Sequence, residues 1–292
     1  MVDLAIEGVP DGQAIEVTGF TNDTTRPHLE EFSLIDITPG TVMLSFSETV
    51  NASSLNFAEV VLQTLYIRDF LAMVQLTGGS TNDSDSDIIE FTFETADLYR
   101  IQANEHLCTH QGNCYISFSQ EFVTDMAGNP VAEITDDAPG YVAMDFNHDR
   151  IPPELIEFSL NLENGTLLLT FNESVRASSL DVTGITIQAS ENTTDPALYY
   201  TLRDSSTTSS DGPIIEIVLS EVDSNGIKGS LFANTENDTY LSLSPHAITD
   251  TAFDPNPVVE IPRDMALQVT QNGLAVDESR PDLLEYTLDM TS

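Results

Sequence analysis

Short alternating or apolar runs with an underlying period of two recur along this chain, as in Thr41–Phe46 (TVMLSF), Ile88–Phe93 (IIEFTF), Thr166–Phe171 (TLLLTF) and Ile214–Leu219 (IIEIVL). That period sends successive side chains to opposite faces of a strand, so each run predicts a strand with one buried face. Turn residues separate the runs at the spacing of a sandwich of two antiparallel sheets, and the predicted fold class is all-β. Helix is scarce. Short helical turns are predicted only at Glu94–Ile101 and Glu221–Lys228, each opening on an acid and closing near a base, as the helix dipole favours.

The pattern repeats. Leu44–Leu55 (LSFSETVNASSL) returns as Leu169–Leu180 (LTFNESVRASSL), an offset of 125 residues, and Tyr115–Ser119 (YISFS) returns as Tyr240–Ser244 (YLSLS). Repetition at this length marks tandem modules, each large enough to bury its own core. Polar residues and proline cluster at Asn22–Pro27, Asn147–Pro153 and Asp277–Pro281, short linkers that limit hinge motion and favour an extended array. Four segments follow: 1–25, the terminal strand of a preceding module with its linker; 26–147, the first repeat; 148–276, the second; and 277–292, the first strand of a following module or a strand linking subunits. The last assignment rests on Arg280–Leu288 (RPDLLEYTL), which restates Pro152–Leu160 (PPELIEFSL). Leu283, Leu284, Tyr286 and Leu288 are therefore the expected assembly positions, since an apolar strand left unpaired seeks a partner edge.

The phrases Phe46–Val50 (FSETV) and Phe171–Val175 (FNESV), with Thr124–Pro130 (TDMAGNP) near the module end, resemble the pattern of bacterial-type Ig-like repeat domains of large surface and adhesion proteins. The second module departs from it at Thr249–Pro257 (TDTAFDPNP), where the turn carries two extra residues. The resemblance spans residues 26–276. It implies tandem Ig-like antiparallel β-sandwich modules used as an extracellular spacer or building block, and it carries no catalytic residues.

Forty-eight acids against nine bases give a net charge of −39, which repels phosphate backbones and anionic lipid headgroups. Nucleic-acid partners are not expected. Neither is membrane insertion, because no run of about twenty apolar residues occurs. Such acidity also suits proteins of high-salt media, so composition alone assigns it to no partner.

Cys108 and Cys114 flank a turn-like sequence, and a local disulfide is the economical reading, with two free thiols as the alternative. His106 and His110 are the only other zinc ligands nearby, too few for a site. Seven Asn-X-Ser/Thr sequons, at Asn22, Asn51, Asn82, Asn164, Asn172, Asn192 and Asn237, predict N-linked glycans on loops. For metal, the linker acids Asp145, Asp149, Asp277 and Glu278 are the candidates, with Glu48, Asp125, Glu173 and Asp250 at recurring module positions. Calcium, which takes six to eight oxygen ligands, would suit such acids, with ligand-free clustering in so acidic a chain as the alternative, and no other cofactor is expected. The histidines His28, His106, His110, His148 and His246 lie without a nucleophile or ligand spacing beside them, and no enzyme motif appears. The expected function is that of a secreted or cell-surface structural glycoprotein, not an enzyme. Its modules would build a rod or fibril by joining end to end with copies of itself or with further modules of the same chain. The stalk or ligand-binding module of a cell-surface adhesin is the alternative.

Overall fold

The computed structural model describes residues 9–65, 73–82, 84–104, 106–135, 141–279, 285–288 and 290. The chain is all-β, with four sheets and two short α-helices among the described residues. The first repeat holds β1 (Leu29–Asp36), β2 (Thr41–Val50), β3 (Val60–Gln63), β4 (Met73–Gln75), β5 (Gly79–Ser80), β6 (Ser86–Phe93), α1 (Thr95–Gln102), β7 (Tyr115–Phe118), β8 (Tyr141–Val142) and β9 (Asp145–Asn147). The second holds β10 (Leu155–Asn161), β11 (Thr166–Val175), β12 (Ile185–Gln188), β13 (Tyr199–Thr201), β14 (Ser206–Thr207), β15 (Gly212–Val218), α2 (Glu221–Lys228), β16 (Tyr240–Leu243), β17 (Leu267–Gln268) and β18 (Leu274–Ala275).

Strand order is the same in the two repeats. The five-stranded sheets run β5-β6-β2-β1-β9 and β14-β15-β11-β10-β18, and the four-stranded sheets run β4-β3-β7-β8 and β13-β12-β16-β17. Pairing is antiparallel except at one edge, where the last strand of each repeat lies parallel to its first: Leu34–Asp36 against Asp145–Asn147, and Leu160–Asn161 against Leu274–Ala275. The alternation read from sequence is realised in β2 and β11, where Val42, Leu44, Phe46 and Leu167, Leu169, Phe171 are buried. Each repeat has one core drawn from its own two sheets, Phe32, Leu44, Phe91, Leu62 and Ile116 in the first and Phe158, Leu169, Ile217, Ile187 and Leu241 in the second. Burying each such side chain contributes about 1.5–3 kcal/mol toward ordering its own module. Gly40 and Gly165 close the first hairpin of each repeat at φ +71° and +73°, a left-handed turn that a Cβ would strain.

The two predicted helices form, and each serves through a buried aspartate. In α2, Asp223 accepts hydrogen bonds from Tyr200 Oη, the backbone N–H groups of Arg203, Asp204 and Ser205, and Ser205 Oγ. In α1, Asp97 accepts from Thr77 N and Oγ1, Gly78 N and the Arg100 guanidinium. Burial would raise the pKa of Asp223, but the hydrogen bonds from Ser205, Arg203, Asp204 and Tyr200 outweigh it and hold the carboxyl below its ordinary value. A carboxylate thus fastens the loop that leads into the edge strand of each five-stranded sheet, β5 in the first repeat and β14 in the second.

Cys108 and Cys114 are bonded to each other, with Cα atoms 4.3 Å apart. Ala233 stands where Cys108 does, and both residues have positive φ, +57° and +50°. The surrounding hydrogen bonds also correspond, with Cys108 N donating to Asn113 O and Ala233 N to Asp238 O. The disulfide therefore staples a loop that the second module builds without one.

Candidate functional site: acidic clusters at the linkers

The two phrases that define the family resemblance lie far apart in sequence and meet in space. Regular pairing of β2 with β6 breaks between Ser45 and Val50, and that of β11 with β15 breaks between Thr170 and Val175. Such an irregularity re-aims side chains out of the ladder, and here it lies at Glu48 and Glu173. Where pairing resumes, Val50 forms a bridge with Asp125 and Val175 with Asp250, bringing the second phrase alongside the first.

The turn after each of these aspartates wraps round its carboxylate. Asp125 Oδ1 accepts from Ala127 N and Asn129 N, and its Oδ2 from Asn129 Nδ2 at 2.7 Å. Asp250 repeats the arrangement with Ala252 N, Asn256 N and Asn256 Nδ2, the last also at 2.7 Å. The two extra residues of the second turn are absorbed without loss of these bonds. The same asparagine reaches the linker, since Asn129 Nδ2 donates to Asp23 O and Asn256 Nδ2 to Asp149 O.

The linker then supplies a third carboxylate. Carboxylate oxygens of Asp23, Glu48 and Asp125 lie within 4.8 Å of one another, as do those of Asp149, Glu173 and Asp250. Asp23 and Asp149 adopt the same turn, accepting from Thr25 N and Ile151 N. Asp277 does so too, accepting from Ser279 N, so an Asp four residues before a proline (Pro27, Pro153, Pro281) marks every linker. That recurrence was the signal by which Asp23 could have been found.

The two clusters differ in depth. Asp23 is exposed and Glu48 half-buried, whereas Glu173 is only 8 % exposed and Asp250 1 %. The neighbouring module makes the difference: Tyr99 Oη in α1 donates to Asn172 O, Ser174 Oγ donates to Tyr99 O, and Thr38 Oγ1 donates to Asp149. Burial, then the charge and hydrogen bonding of Asp149 and the charge of Asp250, push the Glu173 pKa up to about 9. Burial, then Asp23 and Asp125, also raise Glu48. Burial raises Asp250 as well, while in the shallower cluster the bonds from Asn129 and Ala127 outweigh burial and hold Asp125 below its ordinary value. Glu173 Oε1 is buried without a hydrogen-bond partner.

Of the metal candidates read from sequence, Asp149 joins the deep cluster and Asp145 does not, standing exposed on β9. Asp277 pairs with Lys228 Nζ at 2.7 Å, a contact that holds its pKa well below the carboxylate range, and Glu278 is exposed. Among the sequon asparagines, Asn22, Asn82, Asn164, Asn172, Asn192 and Asn237 are exposed, and Asn51 is half-buried, its side chain accepting from Ser53 N. Tyr286 and Leu288 are exposed, while Leu283 and Leu284 lie outside the described residues. No helix among the described residues is long and apolar enough to cross a membrane.

No protein-family model matches the chain, and no curated protein matches it.

Proposed function

We propose that this chain belongs to a structural extracellular glycoprotein in which tandem Ig-like β-sandwich modules, acting without catalysis, join end to end into a rod or fibril. The observation that carries the reading is how each module is completed. Its last strand lies parallel to its first, and from that strand Phe146 in the first module and Leu274 in the second pack against the core. Ala14–Phe20 has the same apolar pattern as Tyr141–Phe146, yet Ile15, Val17 and Phe20 are 83 %, 71 % and 81 % exposed. Tyr286 and Leu288, the counterparts of Phe158 and Leu160 in β10, are also exposed. The two segments carry the sequence patterns of a last strand and a first strand, although neither forms a strand among the described residues, and these patterns are complementary, so a neighbouring module or a second copy of the chain would bury both. The modules' contacts across the linker support a semi-rigid join, and the exposed sequons suit glycans projecting from loops.

Electron microscopy of the native material tests this. A filament with a regular axial repeat is expected, and glycopeptide mass spectrometry should show sugar on exposed sequons. Dispersed monomers with bare asparagines would overturn the reading and favour the stalk of an adhesin.

A further inference from the structure

We propose that Asp149, Glu173 and Asp250 bind a divalent cation, calcium in preference to magnesium, which clamps the linker to the second module. The first observation is geometric. Three carboxylate oxygens from a linker turn, an irregular stretch of β11 and the loop after β16 lie within 4.8 Å of one another. One ion can touch all three. Magnesium usually keeps several waters and is held through only one or two carboxylates, so a set of three protein carboxylates suits the larger, more flexibly coordinated calcium better.

The second observation is independent of the clustering. Glu173, one of the three clustered carboxylates, is only 8 % exposed, and its Oε1 is buried with no hydrogen-bond partner. Leaving a buried carboxylate oxygen unpaired is costly, and a ligand that accepts its lone pairs removes that cost. The turn bonds to Asp250 are made by N–H donors and fix its orientation, leaving the group's net charge uncompensated. Among the described residues the ion pairs are Arg100–Asp97 and Lys228–Asp277, and neither lies at this cluster. Arg176, the nearest base on β11's continuation, spends its guanidinium on the carbonyls of Thr251 and Ala252.

The chemistry of the donors selects the ion. All three are hard oxygens with no histidine or cysteine among them, which excludes a zinc-type site and suits calcium. Backbone carbonyls and water would complete the coordination. Since Asp149 also accepts from Thr38 of the first module, an ion here holds both modules in one arrangement. The Asp23, Glu48 and Asp125 group is a shallower copy, and weaker binding is expected there.

The experiment uses the whole chain, stripped of cations with a chelator and titrated with calcium chloride or magnesium chloride at about 0.15 M salt, where diffuse screening is saturated. Calorimetry should show the melting transition of the second module rising by roughly 5 °C or more with calcium and clearly less with magnesium. Glu173→Gln, which keeps the side chain's shape, should lose most of that rise and weaken calcium by at least about tenfold, whereas Glu48→Gln should keep it. Equilibrium dialysis of the unaltered chain reads the site without any variant, with one tightly held calcium per chain expected at about 10 µM free ion. An equal response to both cations, an unchanged response in Glu173→Gln, or no bound calcium in dialysis would each overturn the proposal.

Discussion

Replacing Asp223 by asparagine should destabilise the second module selectively, and the size of the effect can be worked from its hydrogen bonds. The fully buried carboxylate accepts from Tyr200 Oη, three consecutive backbone N–H groups and Ser205 Oγ, the last at 2.6 Å. An asparagine keeps one carbonyl oxygen but turns an amide NH2 toward donors, so those on Oδ2 lose their acceptor. Hydrogen bonds to a charged group are worth about 1.5–3 kcal/mol each. Ser205 is buried and its donors find no water, while Asp204 is exposed and its N–H is rescued in part, which leaves a loss of about 3–4 kcal/mol. For a domain of this size that lowers the melting temperature by roughly 10–15 °C. Differential scanning calorimetry on the full chain is the assay, with the first module's transition as internal reference. The pH dependence gives a second check. Because the folded pKa of Asp223 is depressed, its contribution is present above the unfolded value of about 3.9 and is lost as pH falls through the folded value. The two melting curves should therefore converge in strong acid. A loss below about 1 kcal/mol, or a first-module transition that moves equally, would refute the reasoning.

Three further outcomes are expected. Gly226→Ala should destabilise the second module by about 2–3 kcal/mol, because a Cβ there would lie 2.2 Å from the Tyr200 ring and push its hydroxyl off Asp223; urea titration measures it. Cys108→Ser with Cys114→Ser should cost the first module about 2 kcal/mol, the entropy of a short loop, and leave the second unchanged in the same scans. In chelator, Glu173 should make stability fall as pH rises: its raised folded pKa of about 9 means that its favourable contribution is complete below the unfolded value near 4.5 and is lost progressively toward 9. Glu173→Gln should flatten that slope in paired urea titrations at pH 5 and 8.

The period-two alternation was legible in sequence because it reflects local strand geometry. Val42, Leu44 and Phe46 point inward for the same reason that Leu167, Leu169 and Phe171 do. The 125-residue echo made the two modules visible, and the places of α1 and α2 followed from acid-first, base-last segments. The six-residue Cys108 to Cys114 spacing suggested the loop that the bond closes. The cluster was only half legible. Glu48, Asp125, Glu173 and Asp250 stood out as recurring acids, but among forty-eight acids nothing in their order says which ones converge. Convergence depends on the break in pairing after Ser45 and Thr170 and on the bridges Val50–Asp125 and Val175–Asp250, contacts between residues some 75 positions apart. Those same contacts bring Asp149 in and leave Asp145, four residues earlier, exposed on β9. Depth was the tertiary structure's decision alone. Two clusters with matching residues and matching turn bonds differ because α1 of the first module covers the base of β11, and desolvation depends on what lies next to a group in space and not on its neighbours along the chain.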